Sequence, residues 1–336
     1  MRFPLIAFAL AANPALLAAQ YHVSRTYPVG GDGSWDYVVP DPGHHRLFIG
    51  RQNRVMVVDE DTGALLGEVT GIKGAHGTAI DERSGHGFAT SGDDSSIVMF
   101  DLNTYQVLGR AHAAEDADAI IFDAPSSRVF SFNGDANSAT VVDPATGTFV
   151  ANIPLGGKPE YGVSAGNGMV YVNITDKSEV VEIDASAMRV TRRWSTLPCK
   201  QPVAMAIDVS GQRLFSGCRS GVMAVSNIST GAVVATLPIG TGTDGAAFDP
   251  VTHDAFASNA DGTLTIIHQD GPDTYHVAQT IVTAPGARNM GLDPLTHRAY
   301  VVSAKMGPAP DAPTPSNPRR RPQVIPGSFA IMVIEQ

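Results

Sequence analysis

The chain is poor in charge, aromatics and thiols. Of its 336 residues, 17% are charged and 7% aromatic, and only two are cysteines. No CxxC pair occurs, so the common signature of thiol redox chemistry is missing. Basic residues number 23 against 33 acidic ones, for a formal charge of -10. That balance repels a phosphate backbone, and nucleic acid is not an expected partner. Beyond the N-terminus no apolar run is long enough to span a membrane. Turn formers are abundant instead: 34 glycines and 23 prolines beside a hydrophobic content of 43%. The glycine and proline shares exceed the averages of roughly 7% and 5%. This composition predicts a β-rich body with a packed core and many tight connections, and excludes disorder and a helical bundle.

Met1 and Arg2 precede an apolar run from Phe3 to Ala12, then Asn13-Pro14 and small residues up to Ala18-Ala19. Charged, apolar and small-residue regions in that order form a secretory signal, with cleavage near Ala19. The run is short for a spanning helix, and Pro14 interrupts it. Residues 1–19 are thus expected to be a signal peptide and 20–336 a single periplasmic or secreted domain with no transmembrane segment. Export allows Cys199 and Cys218 to persist as a disulfide.

Self-similarity runs through the rest. Apolar stretches end at Asp41, Asp81, Asp123, Ser164, Asp208, Asp249 and Asp293, with spacings of 40, 42, 41, 44, 41 and 44. A second register passes through Asp59, Asp101, Asp143, Asp184, Asn227 and His268, with spacings of 42, 42, 41, 43 and 41. An aspartate opening a turn accepts a hydrogen bond from the backbone two residues on, and a following Thr-Gly supplies the positive φ of a tight connection. These aspartates therefore read as strand ends, not catalysts. In the third unit four short β-rich runs follow one another: Asp118 to Phe122, Arg128 to Phe132, Ala139 to Val142 and Phe149 to Ile153. Four strands in about 42 residues make one propeller blade.

Seven anchors predict an all-β, seven-bladed β-propeller of four-stranded antiparallel blades, with strands A to D running outward from the axis. The last unit supplies A (Asn289 to Leu292), B (Ala299 to Ser303) and C (Phe329 to Ile334) but no D strand. Tyr21 to Val29 is left over at the other end and is expected to close that blade, which also hides the sheet edge.

Val170-Tyr171-Val172-Asn173, Val141-Val142-Asp143 with Ala145-Thr146-Gly147, and Ile153-Pro154-Leu155-Gly156-Gly157 resemble the repeats of YVTN β-propellers of the YncE-like kind. Leu214-Phe215-Ser216-Gly217-Cys218 and Val234-Ala235-Thr236-Leu237-Pro238-Ile239-Gly240 look like further copies. The resemblance covers the chain from about Tyr21 onward and implies an exported propeller, often without a settled biochemical role. Ser164 departs from the pattern where other units carry Asp.

In such a ring the starts of the A strands gather at one mouth of the central channel, on the face shared by the D-to-A and B-to-C loops. Five residues before the anchors stand Asp36, His76, Asp118, Pro159, Val203, Asp244 and Arg288, with Glu160 and Asn289 adjacent. The candidate ligand-binding set is therefore Asp36, His76, Asp118, Glu160, Asp244, Arg288 and Asn289. Asp36, Asp118, Glu160 and Asp244 offer oxygens to a divalent cation, the cofactor this mouth would hold. Arg288 suits a carboxylate or phosphate, or neutralises Asp244. The plain alternative is that strand starts are polar because water reaches them. His44, His45, His86, His253 and His297 fall in A-to-B turns on the opposite face and have no zinc-type spacing.

Cys199, in a D-to-A connection, and Cys218, at the end of strand B of the same unit, both reach the channel-mouth face, where a disulfide would fix a loop rim. From Met306 to Gly327 a proline-rich insertion of about 25 residues, with Arg319-Arg320-Arg321, is expected as a B-to-C loop on that face. The expected function is a non-catalytic ligand- or protein-binding propeller, monomeric, whose mouth takes a small molecule or protein. The alternative is a metal-dependent, lactonase-like hydrolase with an axial cation. A quinone-cofactor dehydrogenase ranks third, since only Trp35 and Trp194 are available for stacking.

Overall fold

The computed structural model describes residues 20–312 and 322–336. The expected signal peptide and Arg319-Arg320-Arg321 lie outside the described residues. In chain order the strands are β1 (His22–Tyr27), β2 (Val38–Asp41), β3 (Arg46–Asp59), β4 (Leu65–Asp81), β5 (His86–Ser91), β6 (Ser96–Asp101) and β7 (Val107–His112). Then come β8 (Ala117–Asp123), β9 (Arg128–Asn133), β10 (Ser138–Asp143), β11 (Thr148–Pro154), β12 (Pro159–Ser164), β13 (Met169–Ile174), β14 (Glu179–Asp184) and β15 (Arg189–Ser195). Next are β16 (Pro202–Asp208), β17 (Arg213–Cys218), β18 (Val222–Asn227), β19 (Val233–Pro238), β20 (Thr243–Asp249), β21 (Asp254–Asn259), β22 (Thr263–Gly271) and β23 (Thr274–Val282). The last are β24 (Asn289–Asp293), β25 (Arg298–Ser303) and β26 (Ala330–Glu335). No helix among the described residues is long and apolar enough to cross a membrane.

The sequence pattern explains why each strand sits where it does. Middle strands such as β9 and β13 are buried along nearly their whole length and read as near-continuous apolar runs. Outer strands alternate: β15 is exposed and half-buried in turn, because only one of its faces meets a neighbouring sheet. The turns follow the aspartate rule. The Asp59 carboxylate accepts the Thr62 amide at 2.8 Å, and Gly63 closes the turn at φ 72°. Asn227 does the same for the Thr230 amide at 3.0 Å. Ser164, the exception in the pattern, still accepts the Gly166 amide at 3.1 Å.

All pairing is antiparallel, and the propeller is six-bladed in its hydrogen bonding. There are six sheets, five of four strands and one of six. This corrects the expectation of seven separate four-stranded blades. The first two repeat units share one sheet, in the order β2-β3-β4-β5-β6-β7. The physical reason is continuity of the backbone. β4, 17 residues long, runs without a break through the unit boundary that the spacing places between Gly71 and His76, and pairs with β3 on one side and β5 on the other.

β1 supplies the outer strand of the last sheet and pairs with β26 from His22 opposite Glu335 to Tyr27 opposite Ile331. The two ends of the described chain are thereby tied into one sheet, and its edge is covered. Hydrophobic clusters lie between adjacent sheets: Phe130, Phe132 and Val141 of one pack with Val172, Ile174 and Val181 of the next. The innermost segments touch in the ring β2, the end of β4, β8, β12, β16, β20, β24 and back to β2. Convergence of the strand starts follows from that ring and not from the sheet count.

Cys199 and Cys218 form a disulfide, with Cα atoms 5.6 Å apart and both side chains fully buried. It joins the connection before β16 to the end of β17. The proline-rich insertion leaves between β25 and β26 as a B-to-C connection, and its base is a narrow stem. Gly307 donates its amide to the Gln323 carbonyl at 2.8 Å, and Ile325 donates to that of Lys305 at 2.9 Å.

Candidate functional site

Bulges place four of the candidate side chains. Near the mouth, the registers of β4, β8, β12 and β20 against the next strand slip, and each slip falls at the candidate residue. His76 lies between Ala75 and Thr78, Asp118 between Ala117 and Ile120, Glu160 between Pro159 and Gly162, and Asp244 between Thr243 and Gly245. A bulge adds a residue to one strand and re-aims its side chain, here toward the channel mouth. Crowding at the axis makes glycine necessary nearby: a Cβ on Gly50 would collide with the His76 carbonyl oxygen.

Four of the predicted residues meet directly. His76 Nδ1 donates to Asp36 Oδ2 at 2.7 Å and stands 3.4 Å from Asp118 Oδ1. Asn289 Nδ2 donates to the other Asp36 oxygen at 3.1 Å. One ligand atom from each of Asp36, His76 and Asp118 lies within 4.8 Å of the other two. Of the four acids expected to share a cation, only Asp36 and Asp118 join this group, and His76 is its third member. Glu160 and Asp244 pair outward instead, with Arg219 at 3.3 Å and Arg288 at 2.9 Å. Arg288 thus neutralises Asp244, one of its two expected roles. Val203 of β16 adds no polar group.

The electrostatics record how tightly these groups are packed. Burial raises the Asp118 carboxyl well above its ordinary range, the charge on Asp36 adds to this, and His76 opposes it. Burial also pushes Glu160 up to about 7, against the pull of Arg219 and with the repulsion of Asp244. Asp244 reaches about 6 by burial and by the charge of Asp36, with Arg288 holding it down. For His76, burial disfavours the cation, but the Asp36 hydrogen bond and the charges of Asp118 and Asp36 prevail and lift it to about 9. At neutral pH the site therefore holds an imidazolium between two carboxyls. One buried oxygen, Asp118 Oδ1, has no hydrogen-bond partner. A cavity of about 560 Å³ opens beside His76, lined also by Asp93, His112, Glu115 and Asp116.

Several contributors escaped the sequence reading. Tyr37 sits among the acids, and burial together with the charges of Asp118 and Asp36 raises its hydroxyl far above the ordinary value. Its ring lies 5.1 Å from that of Tyr161. Arg51 is fully buried, with its guanidinium carbon 3.8 Å above the Phe329 ring, and it donates to the carbonyls of Ser34, Gly30 and Asp32 at 3.2, 3.3 and 2.9 Å. This clamp orders the loop that presents Asp36. Polar residues on three second strands tie their sheets to the next inner segment: Thr90 donates to the Asp118 carbonyl at 2.6 Å, Asn173 to that of Ala204 at 2.8 Å, and Ser258 to that of Arg288. A periodic signal marked their positions, since Thr90, Ser131, Asn173, Ser216 and Ser258 are 41, 42, 43 and 42 residues apart, although Ser131 turns to Asn133 and Ser216 to Asn173. No such signal marked Arg51.

On the opposite face the histidines are not simply solvated. His44 stands 3.2 Å from Asp41 and 3.9 Å from Glu82, and His45 stands 3.0 Å from Glu60 and 3.5 Å from Asp61.

Fold and site together define a β-propeller with an acid-rich channel mouth. No protein-family profile matches the chain, and no curated protein matches it in sequence. Solved structures do. U3-55K is 12% identical with a TM-score of 0.74, over 94% of this chain and 98% of that one. Hydrazine synthase of Kuenenia stuttgartiensis is 15% identical with a TM-score of 0.70, over 80% of this chain and 92% of that one. At such identities the likeness shows the propeller fold alone.

Proposed function

We propose that this chain is an exported, non-catalytic binding propeller of the YncE-like kind, whose channel mouth takes a small positively charged ligand, of which a divalent cation is the simplest. The observation that carries this reading is the Asp36, His76 and Asp118 group, three donors within 4.8 Å of one another. The raised carboxyls around it support the same reading, because repulsion among close acids is relieved when a cation arrives. The Cys199–Cys218 disulfide suits an oxidising compartment, as export requires. Protons compete for these sites, so affinity is expected to rise between about pH 6 and 9 as the carboxyls and then His76 give them up.

The test is calorimetric titration of the whole protein with Ca²⁺ and Mn²⁺. Binding at one site, weakened at least tenfold by Asp36→Asn or Asp118→Asn, supports the reading. Absence of binding, or equal affinity in both variants, rejects it.

A metal-dependent hydrolase is the second reading, favoured by the cavity of about 560 Å³ beside His76. A bound cation there would polarise a substrate carbonyl, with a neighbouring carboxylate activating water. Turnover in a lactone and ester screen with Ca²⁺ or Zn²⁺ added, lost in Asp118→Asn, would replace binding by catalysis.

A further inference from the structure

Far from the channel in the fold, the outer strands β22 and β23 place two histidines directly opposite each other, His268 and His276. Opposed residues of an antiparallel pair share a face. The rings are 5.7 Å apart at 64°, edge to face. Each imidazole is held in the same manner. His268 Nδ1 donates to Asp254 Oδ1 at 2.8 Å, and His276 Nδ1 donates to Asp270 Oδ2 at 2.6 Å. A carboxylate only accepts, so the proton of each neutral ring is on Nδ1 and the lone pair on Nε2. Asp254 is itself fixed, since its other oxygen accepts the Tyr21 hydroxyl at 2.8 Å. Both rings line a cavity of about 590 Å³ together with Tyr21, Thr252 and Gln279. Their side chains are 38% and 54% exposed, open to an incoming ion.

We propose that His268 and His276 chelate a divalent transition-metal ion through their Nε2 atoms, with Asp254 and Asp270 as the carboxylates that orient the ligands. Imidazole nitrogens suit Zn²⁺, Ni²⁺ and above all Cu²⁺, whereas hard cations prefer oxygen. A histidine that coordinates metal through one nitrogen and donates the other N–H to a carboxylate is the usual arrangement at such centres, because the carboxylate sets the tautomer and strengthens the ligand. Here both carboxylate bonds are already made. Water completes the coordination on the open side. The site needs nothing from Asp36, His76 or Asp118, so it stands or falls apart from the channel mouth.

The probe is Cu²⁺, titrated by calorimetry into the metal-stripped protein in a His76→Ala background that removes the channel-mouth imidazole, with electron paramagnetic resonance on the complex. One equivalent of Cu²⁺ showing hyperfine coupling to two nitrogens is expected. Adding His268→Ala or His276→Ala should weaken it at least tenfold, and Asp270→Asn about tenfold through the loosened ring. His268→Gln, with circular dichroism on each variant, separates loss of the ligand from loss of the fold. Cu²⁺ affinity unchanged by both histidine variants, or a spectrum without coupled nitrogen, would overturn the proposal.

Discussion

Asp118 and Asp123 lie near opposite ends of one strand, β8, and Asp244 and Asp249 are placed alike on β20. The two ends treat a carboxylate in opposite ways. At the turn end, Asp249 accepts the Val251 amide at 2.9 Å and His297 Nδ1 at 2.7 Å, and Asp123 accepts the Ser126 amide at 3.0 Å and the Ser164 hydroxyl at 2.5 Å. At the mouth, Asp118 keeps an oxygen without a hydrogen bond, with only His76 Nδ1 standing 3.4 Å away, and Asp244 has Arg288 alone among cations within 4 Å. Burial is more complete at the turn end, where Asp123 and Asp249 are fully covered, so burial is not what distinguishes a candidate site. The difference is the supply of backbone donors: a turn provides them, and a bulge aimed into a channel does not.

The contrast can be broken by substitution. Asp249→Ala leaves three donors unsatisfied, counting the Thr252 amide at 3.4 Å, and should cost about 3 kcal/mol in urea unfolding. Asp244→Asn at the other end should change stability by less than about 0.5 kcal/mol. Equal losses would erase the distinction between the two ends. Arg51→Ala tests whether the mouth depends on its buried clamp. With the Gly30, Asp32 and Ser34 carbonyls deprived of a donor, a loss of about 2 kcal/mol is expected by thermal melting. Ser164→Asp restores the residue that the repeat favours, yet it sets a second carboxylate where Ser164 now donates to Asp123. It should destabilise by about 1 kcal/mol, and a gain would show that local turn preference outweighs the neighbour.

The smallest expected effect is on the slope of stability with pH. Glu160 at about 7 and Asp244 at about 6 hold protons in the native state that the unfolded chain has already released. Their contribution is therefore full near pH 4 and falls as pH rises to about 7. His76, lifted to about 9, acts with the same sign from about pH 6.5 to 9. Glu60 on the other face, pushed to about 7 by burial and by Asp293, has the same sign as Glu160. Glu160→Gln with Asp244→Asn should flatten the lower window only in part, and His76→Gln the upper one. Unfolding free energies measured across that range check the sign, and an unchanged slope in the variants would remove the mouth from the account.

Much of the architecture was legible from particular residues. The expected strands Arg128 to Phe132 and Phe149 to Ile153 match β9 and β11 to within one residue at each end, because apolar runs and turn aspartates are local signals. The candidate site was legible as a list and not as a grouping. Counting five residues back from the anchors found Asp36, His76 and Asp118, but it could not tell that His76 bridges the two acids while Glu160 turns to Arg219. Ring position fixes which strand starts are neighbours, and side-chain aim depends on each bulge. The sheet count failed for a related reason: hydrogen bonding across a unit boundary is a property of paired backbones, which repeat spacing does not report.

The 42-residue rhythm, with its turn aspartates and buried middle strands, by itself determined a propeller, since local preference and burial pattern agree in every unit. Tertiary structure alone decided that two units share a sheet, that Arg51 lies beneath the loop presenting Asp36, and that His268 faces His276. Each of these joins residues whose contact depends on register and on closure of the ring, and neither register nor closure is encoded at any single position.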